Sequence, residues 1–152
     1  MDDLTYLVVD DSPTVRRTIV QALEKEGVPT ARIAESESAA HAIESFDRVR
    51  PDVVFLDISL TRGEPSPGAY IDLLRVASTR PESGNDVARH MVSRNPSVKI
   101  VVCTGNPPDD PRVRELIRAG AFQVLQKPIH LAQIREVLRQ IRDEDRESAR
   151  TG

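Results

Sequence analysis

Two hydrophobic periods alternate along this chain, and that alternation admits few folds. Leu4-Thr5-Tyr6-Leu7-Val8-Val9 is a short apolar run with the length and β-branching of a buried strand. Val15, Ile19, Ala22 and Leu23 then recur at helical spacing until Gly27 stops the helix. A second short strand is expected at Ala31 to Ala34. A second helical stripe follows at Ala39, Ala40, Ile43 and Phe46, ending near Pro51. Val53-Val54-Phe55-Leu56 and Val98-Lys99-Ile100-Val101-Val102-Cys103 are two further strands. Val113, Leu116 and Ile117 mark a helix closed by Gly120, and Phe122 to Leu125 a last strand. Leu131, Ile134, Val137, Leu138 and Ile141 form one face of a final helix. From Arg142 to Gly152 nearly every residue is polar, and this tail is expected to fray.

Strands that are apolar on both faces, each followed by a helix, imply a parallel sheet covered on both sides. Five of them fit a flavodoxin-like, doubly wound α/β sheet: one domain over residues 1–142, with a polar tail over 143–152. In such sheets ligands bind beyond the carboxyl ends of the strands, near the switch point between the first and the third. The residues found there are Asp10 and Asp11 after strand one, Asp57 after strand three, Thr104 after strand four, and Lys127-Pro128 after strand five. Three carboxylates converging on one sheet edge repel each other unless a cation sits among them. Hard oxygen donors at an open, watery site favour Mg²⁺, which keeps several of its waters. A lysine opposite pairs with a carboxylate or with an incoming phosphoryl oxygen, and a threonine hydroxyl donates to the same group. An aspartate beside Mg²⁺ and lysine is an arrangement for attack on phosphorus, giving an aspartyl-phosphate.

Four segments carry a resemblance. They are Leu7-Val8-Val9-Asp10-Asp11-Ser12, Val53-Val54-Phe55-Leu56-Asp57-Ile58-Ser59-Leu60, Val101-Val102-Cys103-Thr104-Gly105, and Gly120-Ala121 followed by Leu125-Gln126-Lys127-Pro128. In this order, after these strands, the chain resembles the receiver domain of two-component response regulators, chemotaxis regulators among them, from residue 4 to about 142. The resemblance implies Asp57 as phospho-acceptor and Asp11 as a direct Mg²⁺ ligand. It implies that Asp10 acts on the metal mainly through water, and that the Ser59 backbone carbonyl is a further ligand. It casts Lys127 as the residue that holds the phosphoryl group and Asp57, and Thr104 as the hydroxyl that moves to the phosphoryl group. It also implies a cis Lys127–Pro128 bond.

The chain departs from the family in two places. Val124 stands where receivers usually carry a Tyr or Phe that swings inward on activation, so coupling of Thr104 to an aromatic side chain is not expected. The second departure is an insertion of about residues 61–82 after Asp57. Ser83-Gly84-Asn85-Asp86-Val87-Ala88-Arg89 looks like the start of the family's third helix, much later than usual. A rival alignment makes Gly68 to Ala77 the third helix. The later helix is preferred because it leads straight into the Val98 strand, as a βαβ crossover requires. The insertion, with Tyr70, Ile71, Leu73, Leu74 and Val76, reads either as a tolerated surface loop or as a lid or docking element.

Plainer readings stand beside these. Asp10-Asp11 alone is helix-start charge and capping, with Ser12 or Asp11 as cap and Pro13 in the first turn. Thr104 alone is a turn hydroxyl, Lys127 a surface lysine and Cys103 a small buried hydrophobe. His41, His90 and His130 lack ligand spacing. Arg16 and Arg17 are either solvated helix charge or a surface that meets a kinase. Asp109-Asp110 before Pro111 is a helix start, and Arg135, Arg139, Arg142 and Arg146 form one stripe, either solvated or met by an output partner.

Composition narrows the function classes. A net charge of -3 argues against a chain that grips nucleic-acid phosphates or anionic lipid, and no apolar run approaches the roughly 20 residues needed to cross a bilayer. The single cysteine excludes a disulfide scaffold, and no secretory signal is read at Met1-Asp2-Asp3. A cytoplasmic protein is therefore expected. The expected function is a receiver that takes a phosphoryl group onto Asp57 with Mg²⁺ and then switches a protein-interaction surface. Its expected partners are a sensor histidine kinase or histidine phosphotransfer protein and a downstream effector, with no direct nucleic acid or membrane contact. No metabolic turnover is expected beyond loss of its own phosphoryl group. No effector segment is read after residue 152, so output by association is expected if the chain is whole, and a DNA-binding or enzymatic output segment downstream if it is a piece. A degenerate receiver acting only as an interaction module is the alternative. A Mg²⁺-dependent aspartyl-phosphate hydrolase is less favoured, since Asp57-Ile58-Ser59 offers no general acid close after the nucleophile.

Overall fold

The computed structural model describes residues 3–60 and 83–151. Five parallel strands form one sheet: β1 (Tyr6–Val9), β2 (Ile33–Ser36), β3 (Val53–Asp57), β4 (Lys99–Thr104) and β5 (Gln123–Gln126). Their order is β2-β1-β3-β4-β5. The helices are α1 (Pro13–Lys25), α2 (Ala39–Val49), α3 (Gly84–Arg94), α4 (Pro111–Arg118) and α5 (Leu131–Thr151), with a 3₁₀ turn at Thr30–Arg32. This is the flavodoxin-like doubly wound sheet that the strand–helix alternation implies.

The pleat sends alternate strand residues to opposite faces, and each face meets its own helices. Tyr6, Val8, Phe55, Val101 and Cys103 pack with Ile19 and Leu23 of α1 and with Ile134, Leu138 and Ile141 of α5. Leu7, Val9, Leu56 and Val102 pack with Phe46 of α2, Val87 and Met91 of α3, and Val113 and Leu116 of α4. Every residue of β1 and β3 is buried, as continuous apolar runs in a parallel sheet require. Each fully buried aliphatic or aromatic side chain contributes about 1.5–3 kcal/mol.

Local sequence sets the helix starts. Ser12 caps α1, accepting from the Val15 N–H at 3.3 Å, and Pro13 fills the first turn. Asp110 caps α4 through the Arg112 N–H at 2.8 Å, the helix start expected of Asp109-Asp110. Gly120 follows α4 with φ +98°, a left-handed conformation suited to glycine.

The structure departs from the sequence reading at the second strand, at Ile117 and in the polar tail. The second strand begins at Ile33, because Thr30–Arg32 winds into the 3₁₀ turn first. Ile117, placed on the inner stripe of α4, is 53% exposed, since only Val113 and Leu116 of that helix face the sheet. The polar run expected to fray is helical to Thr151. Arg139 pairs with Asp143 one turn on at 2.8 Å, and Lys99 approaches Asp145 at 3.8 Å, so opposite charges support it.

The later of the two candidate third helices is α3, which leads into β4 as a crossover requires. Ser83 caps it, accepting from the Asp86 N–H. Its first residue, Gly84, donates to the Ile58 carbonyl at 3.3 Å. The insertion at 61–82, with the rival helix over Gly68–Ala77, lies outside the described residues. A Cβ built on Gly84 would lie 2.5 Å from Ile58 Cα and 2.6 Å from the Asp57 carbonyl oxygen. Both neighbours are backbone, so the contact has no flexible side chain to yield. Gly84→Ala should therefore destabilise the protein by about 1–3 kcal/mol. In urea unfolding the midpoint should fall with an unchanged slope; an unaltered midpoint would show that this junction has slack.

Candidate functional site

The carboxyl ends of β1, β3, β4 and β5 converge, and all of the residues singled out from the sequence lie there. Asp10 follows β1, Asp57 ends β3, Thr104 ends β4 and Lys127 follows β5. Asp10 and Asp57 are almost wholly buried, Thr104 is fully buried, and Asp11 is exposed.

The two buried carboxylates are held by backbone on one side and by lysine on the other. Asp10 Oδ1 accepts from the Ser12 N–H at 2.9 Å, and Asp57 Oδ1 accepts from the Ser59 N–H at 3.0 Å. Lys127 Nζ lies 3.0 Å from Asp10 Oδ2 and 3.5 Å from Asp57 Oδ2, bridging the two acids. The Lys127 backbone N–H donates to the Thr104 carbonyl at 2.8 Å, which fixes the root of the lysine against β4. Thr104 Oγ1 accepts from the Asn106 N–H at 2.9 Å. The Lys127–Pro128 bond is cis, as the resemblance implies.

The electrostatics follow from burial and crowding. Burial pushes the Asp57 carboxyl above its ordinary range, and the Asp10 and Asp11 charges push it the same way. The Ser59 N–H and the Lys127 charge pull it back without cancelling the rise. For Lys127 burial alone would lower the pKa. The close contact with Asp10 and the charges of Asp57 and Asp10 outweigh it, so the ammonium is held above its ordinary value. Cys103, inside β4, is pushed up to about 12 by burial and stays a thiol.

Asp10, Asp11 and Asp57 each offer a carboxylate oxygen, and these atoms all lie within 4.8 Å of one another. Asp10 Oδ2 is buried and accepts no hydrogen bond of good geometry; its partner is the Lys127 ammonium. A set of hard oxygen donors with one buried lone pair to spare, opening through the exposed Asp11 to water, fits Mg²⁺.

Two contacts were not legible in the sequence. One is the steric closeness of Gly84 to the end of β3. The other is the side chain of Arg16, read as solvated or kinase-facing. It is only 15% exposed and donates to the Asp10 carbonyl oxygen at 2.6 Å, whereas Arg17 is exposed. The histidines do not gather. His90 packs its ring edge against Phe46 and lies 3.2 Å from Asp47, and among the described residues the only candidate metal cluster is the three aspartates.

The sequence profile of the response regulator receiver domain matches residues 6–64, which include the first two of these strand ends. The chain belongs to the response regulator receiver family. The chemotaxis protein CheY of Listeria monocytogenes is 26% identical over 136 residues, 89% of this chain and 95% of that protein. The protein-glutamate methylesterase/protein-glutamine glutaminase 4 of Myxococcus xanthus is 30% identical over 128 residues, 84% of this receiver. This receiver spans only 31% of that protein's length. The CheY-like receiver domain of Methanospirillum hungatei shares the fold at a TM-score of 0.71 with 19% identity, covering 99% of this chain and 100% of its own.

A carboxyl with a raised pKa holds its proton more firmly in the folded state. Stability therefore falls as pH rises from 3.8 through that raised value, and the full penalty applies at neutral pH. In Mg²⁺-free buffer Asp57→Asn should consequently melt higher than wild type at pH 7, and the gap should shrink on acidification towards pH 4. A lower melting temperature for Asp57→Asn would mean that the Lys127 pair outweighs burial and repulsion.

Proposed function

We propose that this receiver accepts a phosphoryl group on Asp57 in a Mg²⁺-dependent step, from a phosphohistidine on a sensor kinase or phosphotransfer protein. The observation that carries the reading is the single ammonium of Lys127 set between Asp10 and Asp57 beside a third carboxylate. An Asp57 carboxylate oxygen attacks phosphorus, the P–N bond to the donor imidazole breaks, and the imidazole leaves with the electron pair and takes a proton. The residues that would hold Mg²⁺ are Asp10, Asp11 and Asp57, with the Ser59 carbonyl as the further ligand that the resemblance implies. Bound there, Mg²⁺ supplies charge that offsets the phosphoryl oxygens.

The chain's own residues do the rest. The Ser59 N–H orients Asp57 by holding Oδ1. Lys127 lies within reach of Asp57 and offsets charge on the incoming group without itself losing a proton. The Thr104 hydroxyl, an acceptor from Asn106, keeps its own proton to donate to a phosphoryl oxygen. The aspartyl-phosphate then biases a two-state equilibrium of the surface formed by α4, β5 and α5, which a downstream protein reads. Val124 lies partly buried on β5, in register with Val102, so this switch operates without an aromatic rotamer at that position. The partners and the cytoplasmic setting expected from the sequence belong to this same reading.

Intact mass after incubation with acetyl phosphate tests it. Wild type should gain one phosphoryl group with Mg²⁺ and none without it, and Asp57→Asn should gain none. Lys127→Ala should keep Mg²⁺ binding but lose the phosphoryl-driven change in amide spectra. An adduct that forms equally on Asp57→Asn, or without Mg²⁺, contradicts the assignment. A wild type that binds neither acetyl phosphate nor the beryllofluoride mimic favours the interaction-module alternative.

A further inference from the structure

We infer that Arg16 is a positioning residue for the metal-binding loop, fixing the backbone on which Asp10 and Asp11 are carried. The inference rests on the metal-site half of the proposed function, not on phosphoryl transfer itself.

Only Asp10, Asp11 and Ser12 join β1 to α1, and they must hold two adjacent carboxylates against the repulsion of Asp57. Three hydrogen bonds and an ion pair tie Asp10 down at four points. Its N–H donates to the Ser36 carbonyl at 3.1 Å, Oδ1 accepts from the Ser12 N–H, and Oδ2 faces Lys127. The fourth point is its carbonyl, which accepts from Arg16 Nη1 at 2.6 Å. The same guanidinium turns its Nε–H to Glu35 Oε1 on β2 at 3.3 Å. One planar fork thus staples the loop after β1 to the neighbouring strand, from a helix that begins with that very loop. The mostly buried arginine is anchored while its acid partner, 48% exposed, faces solvent. A guanidinium does this because its donors are fixed in one plane; an ammonium has no such fork.

Partners that orient a metal ligand without touching the metal commonly change affinity by about 10–100-fold when removed. A nearby positive charge has the opposite effect, since it repels a divalent cation. The sign of the change on neutralising Arg16 therefore separates positioning from through-space charge.

The test is a Mg²⁺ titration of the apo protein followed by ¹H–¹⁵N amide shifts, on wild type, Arg16→Met and Arg16→Lys. Positioning predicts that Arg16→Met weakens Mg²⁺ about tenfold. Arg16→Lys, which keeps the charge but not the fork, should weaken it less but in the same direction. Tighter binding by Arg16→Met with an unchanged Arg16→Lys would assign a purely electrostatic role and overturn the inference. A lower melting temperature with unchanged Mg²⁺ affinity in both variants would make Arg16 merely structural, overturning it equally. If Arg16→Met fails to fold, Arg16→Lys decides alone, by weakened or wild-type affinity. A wild type without Mg²⁺ affinity overturns both this inference and the metal-site reading. Mg²⁺ affinity without phosphorylation would leave the inference standing while the proposed function fell.

Discussion

The ammonium of Lys127 lying between Asp10 and Asp57 is the interaction on which the rest of the site depends. Two buried carboxylates, with a third beside them, are stable at one sheet edge only if positive charge is delivered among them. The strand order delivers it. Asp10 and Asp57 follow or end adjacent strands, while Lys127 follows β5, on the far side of β4. Neighbouring strands lie about 4.8 Å apart, so the lysine stem must reach across two spacings to touch Asp57. The bond from its backbone N–H to the Thr104 carbonyl fixes where that reach begins. The charge arrangement is thus a consequence of the topology, and a swap of any two of these strands would dismantle it.

A second constraint is steric. Gly84 starts α3 directly against the carbonyl of Asp57, so the backbone bearing that carboxylate is met by a helix start with no side chain. Ile58 and Gly84, which flank the 61–82 stretch, are hydrogen-bonded to each other. That bond ties the end of β3 to the start of α3, the helix that leads into β4. From the same junction Asn85, buried beside Gly84, donates to the Arg112 carbonyl and to Glu115 at 3.1 and 3.0 Å. These described contacts join the end of β3 to α4 on the sheet face that also holds Val124.

Much of this was readable before any coordinates. A doubly buried strand imposes an unbroken apolar run, so where the run stops the strand stops. Asp10 and Asp57 stand where such runs stop, whereas Lys127 lies two residues past the last apolar residue of the half-buried β5. What was not readable came from contacts between distant segments. Gly84 reads as an ordinary helix start until its distance to Ile58 is known. Arg16 shows the same charge and spacing as Arg17, and only the tertiary turn of α1 over the β1 loop separates a bound guanidinium from a solvated one. Ile117 fits the helical stripe of α4, yet a helix of eight residues covers the sheet with one narrow edge. The helical end of α5 is not legible in the polarity of its run, because ion pairs between turns and to Lys99 support it.

In the proposed function the charge arrangement around Lys127 makes Asp57 the acceptor. Borohydride reduction of the phosphorylated protein, followed by peptide sequencing in the mass spectrometer, tests it most directly, because an acyl phosphate is reduced to an alcohol at the residue that bore it. Homoserine is predicted at position 57, with unaltered aspartates at positions 10 and 11. Reduction at either of those positions instead, with position 57 untouched, would contradict it.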